Sequence, residues 1–205
     1  MSNAELINNF FNETKVTIDK TSIKEIDKVI EVLFNAWKND KQVFIMGNGG
    51  SASTATHFAS DLSKFVSFED KKRFKAFSLV ENTAFVTAII NDNGWDNLFY
   101  EQLRTHLKEG DVVIGISVHG GSGKDKAGFW SQNLTKAIAY AKEKNAKTIG
   151  LTGFDGGAMK DLCDYCVNVP VNSTPQVEGL HVVLHHLICD CLREKIKNFD
   201  NYDKP

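Results

Sequence analysis

A histidine and a carboxylate, His57 and Asp61, stand four residues apart in a segment whose pattern predicts a helix. Side chains at this spacing lie on one helix face, so the pair could exchange a proton with a ligand or bind a metal ion. A solvated surface contact between the two side chains is the structural alternative. The helix follows a short apolar strand and a glycine turn, Gly47 to Ser51. Backbone N–H groups and the positive end of the helix favour an anion at such a turn, which indicates phosphate beside proton transfer.

A second turn rich in glycine and serine follows another apolar strand and contains Ser117, His119 and Ser122. Neither turn is a P-loop, because the lysine of that motif is missing. The first turn also departs from a dinucleotide-binding fingerprint, since Ala52 stands where the third glycine is expected. One such turn alone is typical of a tight strand–helix connection. Two of them at one sheet edge favour a phosphorylated small molecule.

A third cluster, Glu178, His181, His185 and His186, falls within one predicted helix. By helical geometry Glu178 lies about 60° from His181, about 20° from His185 and about 80° from His186. The three histidines cannot all face one ligand, so at least one of them is structural. If this helix meets the first one, Glu178 and one histidine join the earlier histidine–aspartate pair. Such a set suits a divalent metal ion, and it equally suits a division of base and acid roles.

Strand and helix signals alternate along the chain after two helices in the first forty residues. The second of these helices has an apolar stripe that must bury against the domain or another subunit, and Thr21 or Ser22 can cap it. The apolar runs predict strands over 43–46, 74–80, 111–116, 148–151 and 165–169. The periodic segments predict helices over 51–65, 83–90, 97–107, 134–144 and 177–197. This alternation predicts a three-layer α/β fold with a parallel five-stranded sheet, and ligands at the carboxyl ends of its strands.

Length and composition fit a single domain over residues 1–205. The net charge of −2 and the lack of long basic runs argue against nucleic-acid binding. No apolar run approaches the length of a membrane span and the polar N-terminus lacks a signal-peptide core, so we expect a cytoplasmic protein. The cysteines have C-x-x-C and C-x-C spacings that suggest zinc, but their placement favours buried, reduced thiols. They are Cys163, Cys166, Cys189 and Cys191.

The segment Met46-Gly-Asn-Gly-Gly-Ser-Ala, with His57 and an acid four residues after it, resembles the sugar-isomerase (SIS) fold. Within that fold it is most similar to the phosphoheptose isomerase family. Further matching segments are Asn91-Asp92-Asn-Gly94-Trp-Asp96, Gly110-Asp111-Val-Val-Ile-Gly-Ile-Ser117 and a cysteine-containing helix with two spaced histidines. The resemblance covers almost the whole chain, including the paired N-terminal helices.

The resemblance implies an SIS domain of flavodoxin-like topology that assembles as a homotetramer, with residues 1–40 in oligomer packing and active sites between subunits. It implies an isomerase of heptose biosynthesis that interconverts sedoheptulose 7-phosphate and D-glycero-D-manno-heptose 7-phosphate through an enediol(ate). It implies Zn²⁺ on positions that map to His57, Asp61, Glu178 and His186. Proton transfer is implied for Asp61, Glu178 and His186. The implied substrate contacts are Asn48, Gly49, Gly50, Ser51, Asp92, Ser117, His119, Ser122 and Glu178.

Three features depart from the family pattern. The family's glutamate base is Asp61 here, one methylene shorter. The family's glutamine is Glu178, which can supply the reach and basicity that Asp61 lacks. The second turn, residues 117–122, has a histidine in a serine-rich pattern and continues into a long loop. That histidine, Lys124 or Lys126 can add phosphate contacts or change the substrate, and a plain surface loop is the alternative for the lysines.

Three hypotheses about function result. Aldose–ketose isomerisation of a seven-carbon sugar phosphate is the favoured one. The second keeps this chemistry and changes the sugar phosphate, because the acid pair and the second turn are altered. The third is a non-catalytic sugar-phosphate-binding or scaffold protein of the same fold, which would not need the cluster of ionisable side chains.

Overall fold

The computed structural model describes residues 1–121 and 131–199. One sheet of five parallel strands has the order β2-β1-β3-β4-β5. The strands are β1 (Gln42–Gly47), β2 (Lys75–Ser78), β3 (Val112–Ser117), β4 (Lys147–Gly153) and β5 (Tyr165–Val169). The parallel five-stranded sheet predicted from the sequence is therefore confirmed, with every predicted strand present.

Helices precede the sheet and cover both of its faces. They are α1 (Asn3–Lys20), α2 (Ile23–Lys38), α3 (Gly50–Ser60), α4 (Thr83–Asn93), α5 (Leu98–His106), α6 (Gln132–Glu143), α7 (Gly157–Leu162) and α8 (Thr174–Lys197). The short helix α7 was not predicted. It spans six residues and begins in a glycine pair, so its segment has no apolar periodicity.

The strands divide the core into two layers because alternate side chains point to opposite faces. In β1, Val43 and Ile45 belong to one cluster, which also holds the buried faces of α2, α3 and α8. Phe44 and Met46 belong to the other cluster, with the buried faces of α5 and α6. The consequence for function is that α3 and α8 lie on the same side of the sheet, where their side chains can meet.

The two N-terminal helices differ in how far they are buried. The α2 stripe packs into the core through Val29 and Leu33, both fully buried, and the Ser22 hydroxyl accepts a hydrogen bond from the Glu25 N–H at its start. Ile23 is the first residue of α2 and is 83% exposed, so within this chain the buried stripe begins one turn later. In α1 only Thr17 is buried, and several large apolar side chains of that helix stay exposed.

Two further properties bear on the expectations from the sequence. None of the helices within residues 1–121 and 131–199 combines the length and the apolar character that a bilayer crossing requires. All four cysteines are free thiols; Cys163 and Cys189 are buried as predicted, whereas Cys166 and Cys191 are only partly buried. Burial raises the pKa of both buried thiols, and the nearby Asp61 carboxylate adds to the rise at Cys189.

Candidate active site

The topology creates a crevice between the carboxyl ends of β1 and β3. These neighbouring strands lead to helices on opposite faces of the sheet, α3 after β1 and α6 after β3. In open parallel sheets such a switch point is where ligands bind. A cavity of about 110 Å³ lies there. Its walls are Asn48, Ser51, Ile116, Ser117, Val118, His119, Ser131 and Glu178.

The first turn builds the floor of this cavity. Gly49 has φ +57°, which glycine adopts at little cost, and α3 then begins at Gly50 without a side-chain cap from the described residues. A methyl group on Gly47 would meet the Ser51 carbonyl oxygen at 2.5 Å, so the strand and the helix approach as closely as only glycine permits. The turn therefore brings Ser51 and the N-terminus of α3 to the cavity.

An amide pair ties the first turn to α6. The Asn48 side chain donates a hydrogen bond to the Asn133 carbonyl oxygen at 3.0 Å, and Asn133 donates one back at the same distance. Asn133 is fully buried at the start of α6. Asn48, an expected phosphate contact, thus lines the cavity while its amide holds the two sides of the crevice together.

Helices α3 and α8 pack side by side and run in the same direction. Glu178 lies against Gly50, the His57 and His185 rings are 4.5 Å apart, and Arg193 donates a hydrogen bond to the Phe65 carbonyl. Each of these three pairs has the same sequence separation of 128, as parallel helices in constant register require. This register places the predicted residues of both helices at one interface.

Four side chains converge at this interface: His57, Asp61, His185 and His186. One ligand atom from each lies within 4.8 Å of the others. The Asp61 Oδ2 is 3.1 Å from His186 Nδ1, 3.5 Å from His57 Nε2 and 3.9 Å from His185 Nε2. His57 and His186 are about half exposed, at 48% and 50%, so the group opens to solvent on one side.

The helix type changes at Asp61. Beyond α3 the chain continues as a π-helical turn, Asp61–Phe65, closed by a hydrogen bond from the Val66 N–H to the Asp61 carbonyl at 3.0 Å. Such wider turns are rare and recur at functional sites. The apolar periodicity predicted one helix through residue 65 and did not reveal this turn.

The buried histidines of α8 are held neutral. Burial lowers the pKa of His181 to about 4, against a counteracting hydrogen bond with the Thr152 carbonyl. Burial lowers the pKa of His185 to about 3, and the neighbouring His186 and His57 add to the effect. A neutral imidazole has a lone pair for a metal ion or for a hydrogen-bond donor.

The four converging residues fit a divalent metal ion. Within residues 1–121 and 131–199, neither the Asp61 Oδ2 nor either ring nitrogen of His185 has a hydrogen-bond partner, although all three atoms are buried. Buried polar atoms are almost always paired, so the Asp61 Oδ2 and the His185 Nε2 that lies 3.9 Å from it call for a ligand between them. Imidazole nitrogens with one carboxylate oxygen are a donor set typical of zinc.

The structure brings most of the expected site residues together and separates some. His57, Asp61 and His186 share one group, while Glu178 lines the cavity and is not a member of that group. Asp92, exposed near the end of α4, accepts a hydrogen bond from Asn91 and is not a cavity wall. The remaining residues fall in three classes. Ser51, Ser117 and His119 line the cavity, Gly49 and Gly50 form its turn, and Ser122, Lys124 and Lys126 lie outside the described residues.

His185 is the member of the group that the correspondence with the family did not assign. The helical geometry placed it about 20° from Glu178, on the face that was expected to meet α3. That angle was the signal for it. His186 also reaches the group, because α3 lies between the directions of the two neighbouring histidines, with ring centroids 4.5 Å and 4.8 Å from His57.

Comparison with known proteins gives concordant matches. The family model described as SIS domain matches residues 8–153. Phosphoheptose isomerase 2 from Campylobacter jejuni is 37% identical over 186 residues, which are 90% of this chain and 84% of that protein. The phosphoheptose isomerase from Clostridium acetobutylicum is 38% identical over 183 residues, 89% of this chain and 88% of that protein.

Solved structures show the same likeness. Phosphoheptose isomerase GmhA from Neisseria gonorrhoeae superimposes with a TM-score of 0.82 at 30% identity, over 94% of this chain and all of that one. A phosphoheptose isomerase from Francisella tularensis gives a TM-score of 0.84 at 26% identity, over 95% of this chain and all of that one. Fold and sequence thus point to the same group of proteins.

Proposed function

Because the chain belongs to the SIS-domain family and, within it, to the phosphoheptose isomerases, we propose that it interconverts sedoheptulose 7-phosphate and D-glycero-D-manno-heptose 7-phosphate. The observation that carries the proposal is the placement of the His57–Asp61–His185–His186 group beside a cavity lined by hydroxyl groups. Glu178, on the wall of that cavity, stands two helical turns from His185, or about 10 Å along α8. A sugar phosphate that enters the cavity can therefore reach the Glu178 carboxylate and, further along α8, the histidine–aspartate group.

The cavity suits the phosphate end of the sugar. The Ser51 and Ser117 hydroxyls line it, and the N-terminus of α3 supplies N–H groups and the positive end of a helix dipole. We assign Gly49, Gly50 and His119 to the same contact. The His119 ring lies 4.3 Å from that of Phe154, which orients it at the cavity wall.

Asp61, Glu178 and His186 are the proposed acid–base residues. A carboxylate takes a proton from C1 of the ketose while the carbonyl oxygen on C2 is protonated, which gives an enediol. The hydroxyl proton on C1 then leaves and C2 receives a proton, so that the carbonyl group has moved to C1. Proton removal at C1 and proton delivery at C2 need a base and an acid within hydrogen-bond reach of these adjacent carbons.

Zn²⁺ is part of the proposal, with His57, Asp61 and His186 as three of its ligands. When bound, it would supply Lewis acidity towards the oxygen atoms of the carbonyl and the neighbouring hydroxyl. The cavity residues, by contrast, bind and orient the phosphate with or without the metal.

A homotetramer of single SIS domains, each spanning residues 1–205, completes the proposal. Large apolar side chains on α1 are exposed in the isolated chain, and exposed apolar patches of this kind mark protein interfaces. They are Leu6, Ile7, Phe10, Phe11, Val16 and Ile18. We place the protein in the cytoplasm, because four free thiols suit a reducing compartment.

A second candidate function keeps the chemistry and changes the sugar phosphate. The observation that favours it is His119 on the cavity wall, in the turn where the family pattern has a run of serines. An imidazole there would alter both the shape and the charge of the phosphate contact.

The decisive experiment incubates the purified protein with sedoheptulose 7-phosphate, with and without Zn²⁺, and follows the aldose product by NMR. We expect turnover, reduced by about 10²–10⁴-fold in Glu178→Gln and in His186→Ala. Glu194→Gln, on the exposed side of the same helix, and His106→Ala, at an exposed position on α5, are the matched controls and should keep wild-type rates.

Absence of product under every metal condition would refute the proposed isomerase activity. A panel of five-, six- and seven-carbon sugar phosphates in the same assay separates the two candidates. A higher kcat/KM for a five- or six-carbon substrate would replace the heptose assignment with the second one.

A further inference from the structure

Two histidines of α8, one turn apart, are fully buried and differ in the hydrogen bonds of their rings. His181 has its Nε2 at 3.1 Å from the Thr152 carbonyl of β4, so it serves to hold the helix on the sheet. His185 has no hydrogen-bond partner on either ring nitrogen among the described residues. It packs instead against the rings of His57, Phe58 and His186. Its burial is therefore unexplained by the protein alone.

Glu178 lies at a different level of the interface. A methyl group on Gly50 would overlap its carboxylate, so the side chain sits over the first turn of α3. The constant register of the two helices pairs Glu178 with Gly50 and His185 with His57. The carboxylate thus faces the sugar-phosphate cavity, and the imidazole faces the group that contains Asp61.

We propose that His185, and not Glu178, is the fourth protein ligand of the metal ion, and that Glu178 is a free carboxylate in the substrate cavity. This assignment deepens the proposed function and rests on it for the identity of the metal. It departs from the expectation of the resemblance, which mapped the fourth ligand to Glu178.

The exchange has a chemical consequence. Three neutral imidazoles and one carboxylate leave a divalent ion with a net charge of +1, whereas two imidazoles and two carboxylates would neutralise it. The more positive centre is the better electrophile towards a sugar oxygen. A carboxylate that binds no metal keeps its basicity, so Glu178 is available to accept the proton from carbon in place of the shorter Asp61.

The test measures metal binding directly, with Zn²⁺ and Co²⁺ alone as probes. The chain is stripped with a chelator and titrated in competition with a chromophoric chelator, and the visible spectrum of the Co²⁺ form reports the ligand set. We expect His185→Leu to lower the affinity for both ions by roughly 100-fold or more and to change the Co²⁺ spectrum. Glu178→Gln should leave affinity and spectrum within about twofold of the wild type and still lose isomerase activity.

A second measurement needs no variant. In long-range ¹H–¹⁵N spectra of the wild-type histidine rings, Zn²⁺ should shift the resonances of His57, His185 and His186 and leave those of His181 in place. This keeps the proposal testable even if His185→Leu does not fold.

The outcomes separate the two proposals. Loss of metal affinity in Glu178→Gln with wild-type affinity in His185→Leu would overturn the ligand assignment, as would unchanged His185 resonances or a wild-type chain that binds neither ion. Each of these results can occur with full turnover of sedoheptulose 7-phosphate, which would leave the isomerase assignment intact. Metal binding with the expected ligands but no turnover of sedoheptulose 7-phosphate would leave the ligand assignment intact and refute the isomerase assignment.

Discussion

The histidine side chains of α8 have different roles, and His181 has a structural one. Burial lowers its pKa from 6.5 to about 4. Between these values the unfolded chain carries a proton on this ring that the folded chain does not. The stability that its neutral form supports is thus complete above pH 6.5 and is lost as the pH falls towards 4. At about 1.4 kcal/mol per pH unit, the loss is on the order of 3 kcal/mol.

The prediction concerns the pH dependence of unfolding by urea in chelator-containing buffer. Between pH 6.5 and pH 4 the free energy of unfolding should fall more steeply in the wild type than in His181→Asn. The difference in slope should correspond to the uptake of about one proton, or about 1.4 kcal/mol per pH unit. His106→Asn, at an exposed position on α5, is the control and should follow the wild-type profile. Parallel profiles for the wild type and His181→Asn would show that the ring is not held neutral by the fold.

The sequence also predicted which residue types meet at the site, but it did not decide between the neighbouring histidines His185 and His186. His57, Asp61 and His186 were expected together, and the structure brings them together. By helical angle His185 lies nearest to Glu178, whereas the family correspondence assigns His186. The direction from which α3 approaches α8 decides this, and α8's own sequence holds no information about it.

Among the secondary-structure elements, the turn from β1 into α3 is the most constrained. A side chain at Gly47 would collide with the backbone of Ser51, which cannot move without shifting the start of α3. Gly179, by contrast, is an exposed position in the first half of α8, with nothing within 4 Å of an added Cβ. The two glycines therefore make a matched pair for the same substitution.

We predict opposite effects of alanine at these two positions. Gly47→Ala should destabilise the protein by about 1–3 kcal/mol and weaken inhibition by inorganic phosphate. Gly179→Ala should stabilise it by about 0.5–1 kcal/mol, because alanine loses less backbone entropy in a helix. Chemical denaturation and phosphate inhibition of turnover measure the two effects. Equal stability of Gly47→Ala and the wild type would mean that the turn is not as tight as the Ser51 contact indicates.

The regular elements were predictable because each has a clear period, and the irregular ones were not. Alternating faces in β1 and the stripe of α2 are local patterns that the sequence displays directly. The helix α7 has six residues after a glycine pair, and the π-helical turn at Asp61 differs from an α-helix by one hydrogen bond. Neither feature changes the spacing of apolar residues, because both depend on tertiary packing, so the sequence pattern does not predict them.

On the scale of the whole molecule, the isolated chain leaves an apolar surface that a second copy would cover. Five exposed apolar side chains of α1, namely Leu6, Ile7, Phe10, Phe11 and Ile18, cluster within about 140° around the helix, and Val16 lies outside this arc. On α8, the helix that carries the histidines, Val183 and Leu187 are also exposed, at 53% and 43%. An interface that covers both surfaces would lie close to the half-exposed His57 and His186 and would shield the reacting end of the sugar from water.

Disruption of the α1 surface should therefore affect assembly and turnover together. We predict that Phe11→Glu, at a side chain that is 58% exposed, converts a tetramer into smaller species in sedimentation velocity and lowers kcat, because the site loses its cover. Asn12→Glu adds the same charge at the next exposed position of α1, outside the cluster of five apolar side chains, and should leave both quantities unchanged. A wild-type chain that sediments as a fully active monomer would show that the group on α3 and α8 is a complete active site within one subunit.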